Sequence, residues 1–128
     1  SPGPDNSDQT KVEDECIAEH NKHRRSLGLN ELQTDEKMRM AARKHSEHMA
    51  KVNQLAHEDI GDGTLSSRCA AEGTRCIGEN VAKGMTSGAQ AVQAWLKSPG
   101  HKANIENSRY TAIGCGFAKP FWWTCVFR

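Results

Sequence analysis

The sequence predicts an α+β domain in which helices come first and strands come last. Apolar residues recur at helical spacing through the first half of the chain, and two further helix-start signals follow. Two strand-like runs, residues 110–118 and 121–128, then close the chain. Helices that precede a run of strands are typical of domains whose helices pack on a sheet. The length of 128 residues fits one such domain.

The first half of the chain predicts two long helices. Residues 11–27 form the first, and Gly28 ends it. The second follows Thr34, which is interpreted as its cap and precedes acidic residues in the first turn. Its apolar stripe must be buried, and His45 on that stripe is interpreted as a hydrogen-bonded core residue. The stripe is spaced four, three, four and three residues apart: Met38, Ala42, His45, Met49 and Val52.

The middle of the chain is predicted to be a long loop. Residues 53–77 are rich in glycine, aspartate and serine, with one helical turn predicted near residues 65–70. A connection of this length is usually functional or held by a disulfide. Residues 78–82 are predicted to be a strand or an extended segment.

Two shorter helices and a hairpin follow. Ser87 is the predicted cap of a helix that ends at Leu96, and Ser98 followed by proline starts another that ends near Ile105. Lys119-Pro120 separates the two final strands and predicts a hairpin. The polar residues 1–10 are predicted to be disordered, which leaves residues 11–128 as a single domain.

Composition and charge exclude several classes of function. The net charge is +1 and the charges are interspersed, so no basic surface predicts nucleic-acid binding. No apolar run approaches the ~20 residues that span a bilayer.

Five cysteines predict an oxidising compartment. None lies in a C-x-x-C pair, which disfavours a structural zinc knuckle. We expect Cys69–Cys76 to close a loop and Cys115–Cys125 to join the two final strands, leaving Cys16 as a buried free thiol. The alternative is a cytosolic protein with five reduced thiols.

Five motifs resemble those of the CAP superfamily of cysteine-rich secretory, antigen 5 and pathogenesis-related proteins, and they occur in the family's order. Residues 20–24 resemble H-N-x-x-R, residues 55–57 resemble L-x-H, and residues 78–81 match G-E-N followed by an aliphatic residue. Residues 95–105 resemble the W-x-x-S-P-G-H-x-x-N-I segment of the bacterial-type branch, and residues 113–118 resemble its I-G-x-G strand. The resemblance covers the chain from about residue 12. It implies a three-layer α-β-α sandwich and a secreted, extracellular protein.

The resemblance also implies a central cleft lined by two histidines and acidic residues. The motifs assign His57, His101 and Glu79 to it. Ser98 stands where the family usually has a second acidic residue, which argues against a mechanism that needs two carboxylates. The start of a helix explains Ser98 better than a nucleophile does.

Two imidazoles suit Zn²⁺ or another divalent cation. Glu79 is interpreted either as a third ligand or as the residue that orients an imidazole. The structural alternatives are that His101 only braces its helix and that Glu79 only accepts backbone hydrogen bonds.

Binding is the favoured class of function. The resemblance implies an extracellular binder of a lipid, a sterol or a protein partner. We also expect contact with membrane lipids and a protein that is a monomer or weak dimer. The alternatives are an effector or toxin-like protein that acts on a surface receptor, and a metal-assisted hydrolase with Glu79 as base.

Overall fold

The computed structural model describes residues 7–128, and over that range the chain is α+β as predicted. The elements follow one another as α1 (Ser7–Ser26), β1 (Gln33–Thr34), α2 (Glu36–Val52), α3 (Leu65–Ala71), β2 (Gly78–Lys83), α4 (Gly88–Leu96), α5 (Pro99–Glu106), β3 (Ala112–Ala118) and β4 (Trp122–Phe127). The strands form a mixed sheet in the order β1-β3-β4-β2. The short β1 runs parallel to β3, while β4 is antiparallel to both of its neighbours.

The sheet is the middle of three layers, which confirms the predicted sandwich. Alternate residues of β3 point to opposite faces, as they must in a pleated strand. Ile113, Cys115 and Phe117 join a core with α1, α4 and α5. On the other face, Ala112 packs with Met38 of α2.

The helix α2 lies close against the sheet because two glycines of β3 face it. A Cβ on Gly116 would lie 2.0 Å from the backbone nitrogen of Arg43, and one on Gly114 would lie 2.3 Å from that of Arg39. No side chain fits at either position, so these glycines set the distance between the helix and the sheet.

The cap of α2 is Asp35 and not Thr34 as predicted. The Asp35 side chain accepts a hydrogen bond of 3.0 Å from the backbone N–H of Met38. Thr34 belongs to β1, where it pairs with Ile113. The spacing of the apolar stripe locates the helix, but it does not show that Thr34 ends a strand and that the next residue is the cap.

The first helix begins at Ser7, earlier than predicted. Residues 7–10 of the segment predicted to be disordered are therefore helical, while residues 1–6 lie outside the described part of the chain. Gln9 donates a hydrogen bond of 2.7 Å from Nε2 to the carbonyl of Phe117, which ties this turn to β3. A tertiary contact thus extends the helix beyond its apolar pattern.

Both predicted disulfides are present. Cys69–Cys76 links α3 to the segment before β2, and Cys115–Cys125 joins directly opposed residues of β3 and β4. Cys16 has a free, buried thiol, as expected. Among the described residues, none of the helices has the length and apolar character needed to cross a bilayer.

Candidate metal-binding cleft

His57 presents an accessible imidazole on the connection between α2 and α3. Its side chain is 53% exposed. Its Nδ1 lies 2.8 Å from Oε1 of Glu79, to which it donates a hydrogen bond. That bond fixes the neutral tautomer, so the lone pair of the neutral ring is on Nε2.

Glu79 and Arg68 form a buried pair behind this histidine. Arg68 of α3 donates from Nη1 to Oε2 of Glu79 at 2.7 Å and from Nη2 to the carbonyl of His57 at 2.7 Å. One guanidinium therefore holds both the carboxylate and the backbone of the histidine. Both carboxylate oxygens are engaged, which favours an orienting role for Glu79 over that of a general base.

The pKa values follow from this geometry. Burial acts to raise the pKa of Glu79, but the hydrogen bonds from His57 and Arg68 outweigh it and hold that pKa below its usual range. The hydrogen bond to Glu79 raises the pKa of His57 above its usual value, against the opposing effect of burial. The ionised Glu79 is thus the partner that fixes the ring.

His101 lies on α5, which a small amide network attaches to β2. Asn80 donates from Nδ2 to the backbone carbonyl of His101 at 3.1 Å. Asn104 donates to the carbonyl of Glu79 at 3.2 Å and to Oδ1 of Asn80 at 2.9 Å. Two consecutive residues of β2 therefore position the two histidines. Glu79 orients the ring of His57, and Asn80 holds the backbone of His101.

Neither histidine has all of its ring nitrogens engaged. The pKa of His101 is lowered by partial burial and, second, by the charge of His57. The ring nitrogens of His101 and Nε2 of His57 make no hydrogen bond to another group within residues 7–128. Each imidazole thus has an uncommitted nitrogen, as a metal ligand requires.

These residues do not form a closed cage. Within residues 7–128, the group of three or more potential ligand residues whose ligand atoms lie within 4.8 Å of one another is a different cluster, in the core. Glu79 is therefore best placed as the partner of His57 rather than as a third ligand. Ser98 is the N-cap residue of α5, with proline at the first helical position, and its side chain makes no capping hydrogen bond.

The connection that carries His57 is fixed from α2. His45 is fully buried, with Nδ1 2.6 Å from Asp62 Oδ2 and Nε2 2.8 Å from the carbonyl of Ala56. This is the hydrogen-bonded core histidine that its place on the stripe predicts. It fixes the residue before His57.

Sequence reasoning missed the residues that support the histidines. Arg68, Asp62 and Asn104 carry the polar network, but they lie in segments that the sequence shows only as a loop or a short helix. The motif that contains residue 104 assigns it no role. No pattern in one sequence identifies the partner of a buried carboxylate.

The comparisons with known proteins agree on one family. The model of the cysteine-rich secretory protein family (CAP) matches residues 17–127. The protein YkwD of Bacillus subtilis (strain 168) is 35% identical over 101 residues, which cover 77% of this chain and 39% of that protein.

Solved structures give the same fold. An extracellular protein containing a SCP domain from Bacillus anthracis str. Ames superposes with a TM-score of 0.88 at 28% identity, over 99% of this chain and 45% of the other. An outer surface protein of Borrelia burgdorferi superposes with a TM-score of 0.81 at 23% identity, over 97% of this chain and 94% of the other. The chain thus spans less than half of the two Bacillus proteins and nearly all of the Borrelia protein.

Proposed function

Because this chain belongs to the cysteine-rich secretory protein (CAP) family, we propose that it binds a divalent cation such as Zn²⁺ between His57 and His101. The observation that carries the proposal is the hydrogen bond from His57 Nδ1 to the buried Glu79. An imidazole that donates one N–H to a carboxylate and exposes the other nitrogen is the usual form of a metal-binding histidine. His101 supplies the second nitrogen, and water completes an open coordination shell.

Calorimetry tests this site directly. Zn²⁺ is titrated at pH 7.5 into the oxidised protein, whose disulfides are intact. We expect wild type to bind one ion, and His57→Ala and His101→Ala each to abolish that binding. His23→Ala is the matched control, because the His23 ring bonds to Glu106 and to neither His57 nor His101, and its loss should leave the titration unchanged. Wild-type-like binding by both cleft variants would overturn the proposal.

We place the protein outside the cell. Two disulfides within the described residues fit an oxidising compartment. The related proteins from Bacillus anthracis and Borrelia burgdorferi are described as extracellular and as an outer surface protein. Fractionation of the source organism, with the disulfides mapped in the secreted fraction, tests this placement. Recovery in the cytoplasm with reduced thiols would refute it.

We further propose that the protein binds a lipid or sterol through the exposed apolar residues Leu55 and Ile77. Leu55 is 51% exposed two residues before His57, and Ile77 is 59% exposed two residues before Glu79. Large apolar side chains exposed next to polar groups suit an amphipathic ligand, since a hydroxyl or headgroup has polar partners while its apolar body covers the side chains.

Native mass spectrometry tests the ligand. Wild type and Leu55→Ser/Ile77→Ser are each incubated with cholesterol or phosphatidylcholine. We expect a bound-lipid peak with wild type that the double variant loses, and Leu27→Ser as a matched exposed leucine should retain it. No lipid peak with wild type would reject this proposal in favour of a protein partner.

A further inference from the structure

The core contains a second group of metal-capable side chains, separate from the cleft. Cys16 and His20 lie on α1, Cys115 on β3 and Cys125 on β4. All four residues are fully buried, and one ligand atom from each lies within 4.8 Å of the others. Three sulfurs and one imidazole form a Cys₃His set, one of the recurrent ligand sets of structural zinc.

The elements present these four side chains in a suitable geometry. Cys16 and His20 are four residues apart, so they project from the same face of α1. Cys115 and Cys125 are directly opposed on antiparallel strands. The helix therefore supplies two ligands and the facing pair of strands supplies two more. The four side chains meet between α1 and the sheet.

The distances are close to those of a tetrahedral site. With Zn–S of about 2.3 Å and Zn–N of about 2.0–2.1 Å, neighbouring ligand atoms lie roughly 3.5–3.8 Å apart. The Sγ atoms of Cys16 and Cys125 are 3.7 Å apart, and Cys16 Sγ is 4.0 Å from His20 Nδ1. Cys115 and Cys125 are held closer to one another by their disulfide, and their sulfur atoms separate on reduction.

The imidazole of His20 is poorly satisfied in the oxidised protein. Its Nδ1 lies 2.7 Å from the carbonyl of Cys16, to which it donates a hydrogen bond. Its Nε2 is buried and has no hydrogen-bond partner in the described structure. The nitrogen beside Cys16 Sγ is Nδ1, so metal binding at Nδ1 replaces its hydrogen bond to the Cys16 carbonyl and moves the ring proton to Nε2.

We propose that the reduced protein binds one Zn²⁺ ion in its core through the thiolates of Cys16, Cys115 and Cys125 and the imidazole of His20. A dithiol reductant gives two electrons and two protons to the Cys115–Cys125 disulfide and is itself oxidised to a disulfide. Zn²⁺ then displaces three protons from the three thiols.

This arrangement gives Cys16 a role in a second state of the chain. With the disulfide formed, Cys16 is a small buried residue beside it. Before oxidation, a metal ion would connect α1 to both strands and keep the pair of cysteines together. The site does not depend on the cleft, because its four ligands all lie in the core between α1 and the sheet.

The test uses the full chain carrying His57→Ala, so that the cleft does not contribute. The protein is unfolded and reduced, then refolded without oxygen in the presence of Co²⁺ or Zn²⁺. We expect one ion per chain, with the charge-transfer and ligand-field bands of tetrahedral thiolate-bound cobalt. Adding Cys16→Ser should weaken Zn²⁺ binding by at least about 10–100-fold, since even loss of a group that only supports a ligand costs that much.

Two controls isolate the contribution of the core cysteines. Cys69→Ser/Cys76→Ser removes the other reducible pair and should leave the cobalt spectrum unchanged. Circular dichroism of oxidised Cys16→Ser establishes that the variant folds. The proposal is overturned if that folded variant binds metal like its parent, if the reduced chain takes up no metal, or if peptide mapping finds a Cys16–Cys125 disulfide instead. None of these outcomes bears on zinc binding by the oxidised cleft.

Discussion

Glu13 of α1 forms a buried ion pair with Arg43 of α2 around the outer edge of β3. Arg43 donates from Nε to Oε2 of Glu13 at 2.9 Å, and the same carboxylate accepts from Arg39 at 3.2 Å. It also accepts a hydrogen bond of 2.9 Å from the backbone N–H of Phe117. One carboxylate therefore connects two layers of the sandwich to the strand between them.

Removing this charge should destabilise the fold strongly. Glu13→Gln leaves Arg39 and Arg43 buried without their shared counter-charge, and breaking a buried pair in this way costs about 3–5 kcal/mol. Asp14→Asn is the control, because Asp14 also bonds to Arg39 but is 58% exposed. Urea unfolding measures both variants, and a similar small loss in each would show that the buried network is unimportant.

The contact between α2 and the sheet should not tolerate a methyl group. Gly116→Ala places a Cβ within 2.0–2.3 Å of the backbone of α2, so the helix must move. We expect a loss of about 1–3 kcal/mol, as is usual for overpacking, measured by thermal unfolding. Gly100→Ala meets nothing within 4 Å and should leave the melting temperature nearly unchanged. Equal melting temperatures for the two variants would contradict this interpretation.

The pair of Glu106 and His23 should make a pH-dependent contribution to the free energy of unfolding. Glu106 lies 2.7 Å from His23 Nε2, and that hydrogen bond is the main cause of the lowered pKa of Glu106. A carboxylate whose pKa is lower in the folded state stabilises above its unfolded pKa of about 4.5 and loses this effect as pH falls further.

The expected size of this contribution is below about 1 kcal/mol, since the pair is partly exposed. The free energies of unfolding of wild type and Glu106→Gln, measured with denaturant, should differ at pH 6, and the difference should be smaller at pH 3. Glu15→Gln, at an exposed position of α1, serves as the comparison. A difference for Glu106→Gln that is equally large at both pH values would exclude the carboxylate as its source.

Loss of the Arg68 guanidinium should weaken metal binding, although Arg68 does not contact the metal. Arg68→Met keeps most of the side-chain volume but removes the donors to Glu79 and to the carbonyl of His57. Loss of such a supporting partner typically weakens metal binding by about 10–100-fold. Zinc calorimetry at pH 7.5 measures the change, with the exposed Arg75→Met as the reference. Unchanged affinity would mean that Glu79 orients His57 unaided.

Much of the fold could be predicted because its signals are local. The stripe of α2, the serine before α4 and the two final strands each follow from periodicity or from a cap within a few residues. The parallel pairing of β1 with β3 could not be predicted, since two residues are too short for a pattern. The same limit explains why the predicted cap of α2 lies one residue too early.

The candidate site also has residues that could be predicted from the sequence and contacts that could not. His57 and His101 could be proposed from motifs, but their mutual position depends on Arg68 and Asn80, which reach them through non-local contacts. The proximity of Cys16 to Cys125 is similar, as the two residues are 109 positions apart and meet only when α1 packs on the sheet. Such contacts come from the tertiary fold, so one sequence does not show them.

The side chains that border the sheet have a consequence for self-association. At the outer strand β2, the carbonyls of Glu79 and Val81 accept hydrogen bonds from Asn104 and from Trp95 Nε1. At the opposite side of the sheet, Phe117 is bonded through both its N–H and its carbonyl to side chains of α1. A strand from another molecule would find these backbone groups already bonded, which disfavours edge-to-edge pairing of the sheets of two molecules.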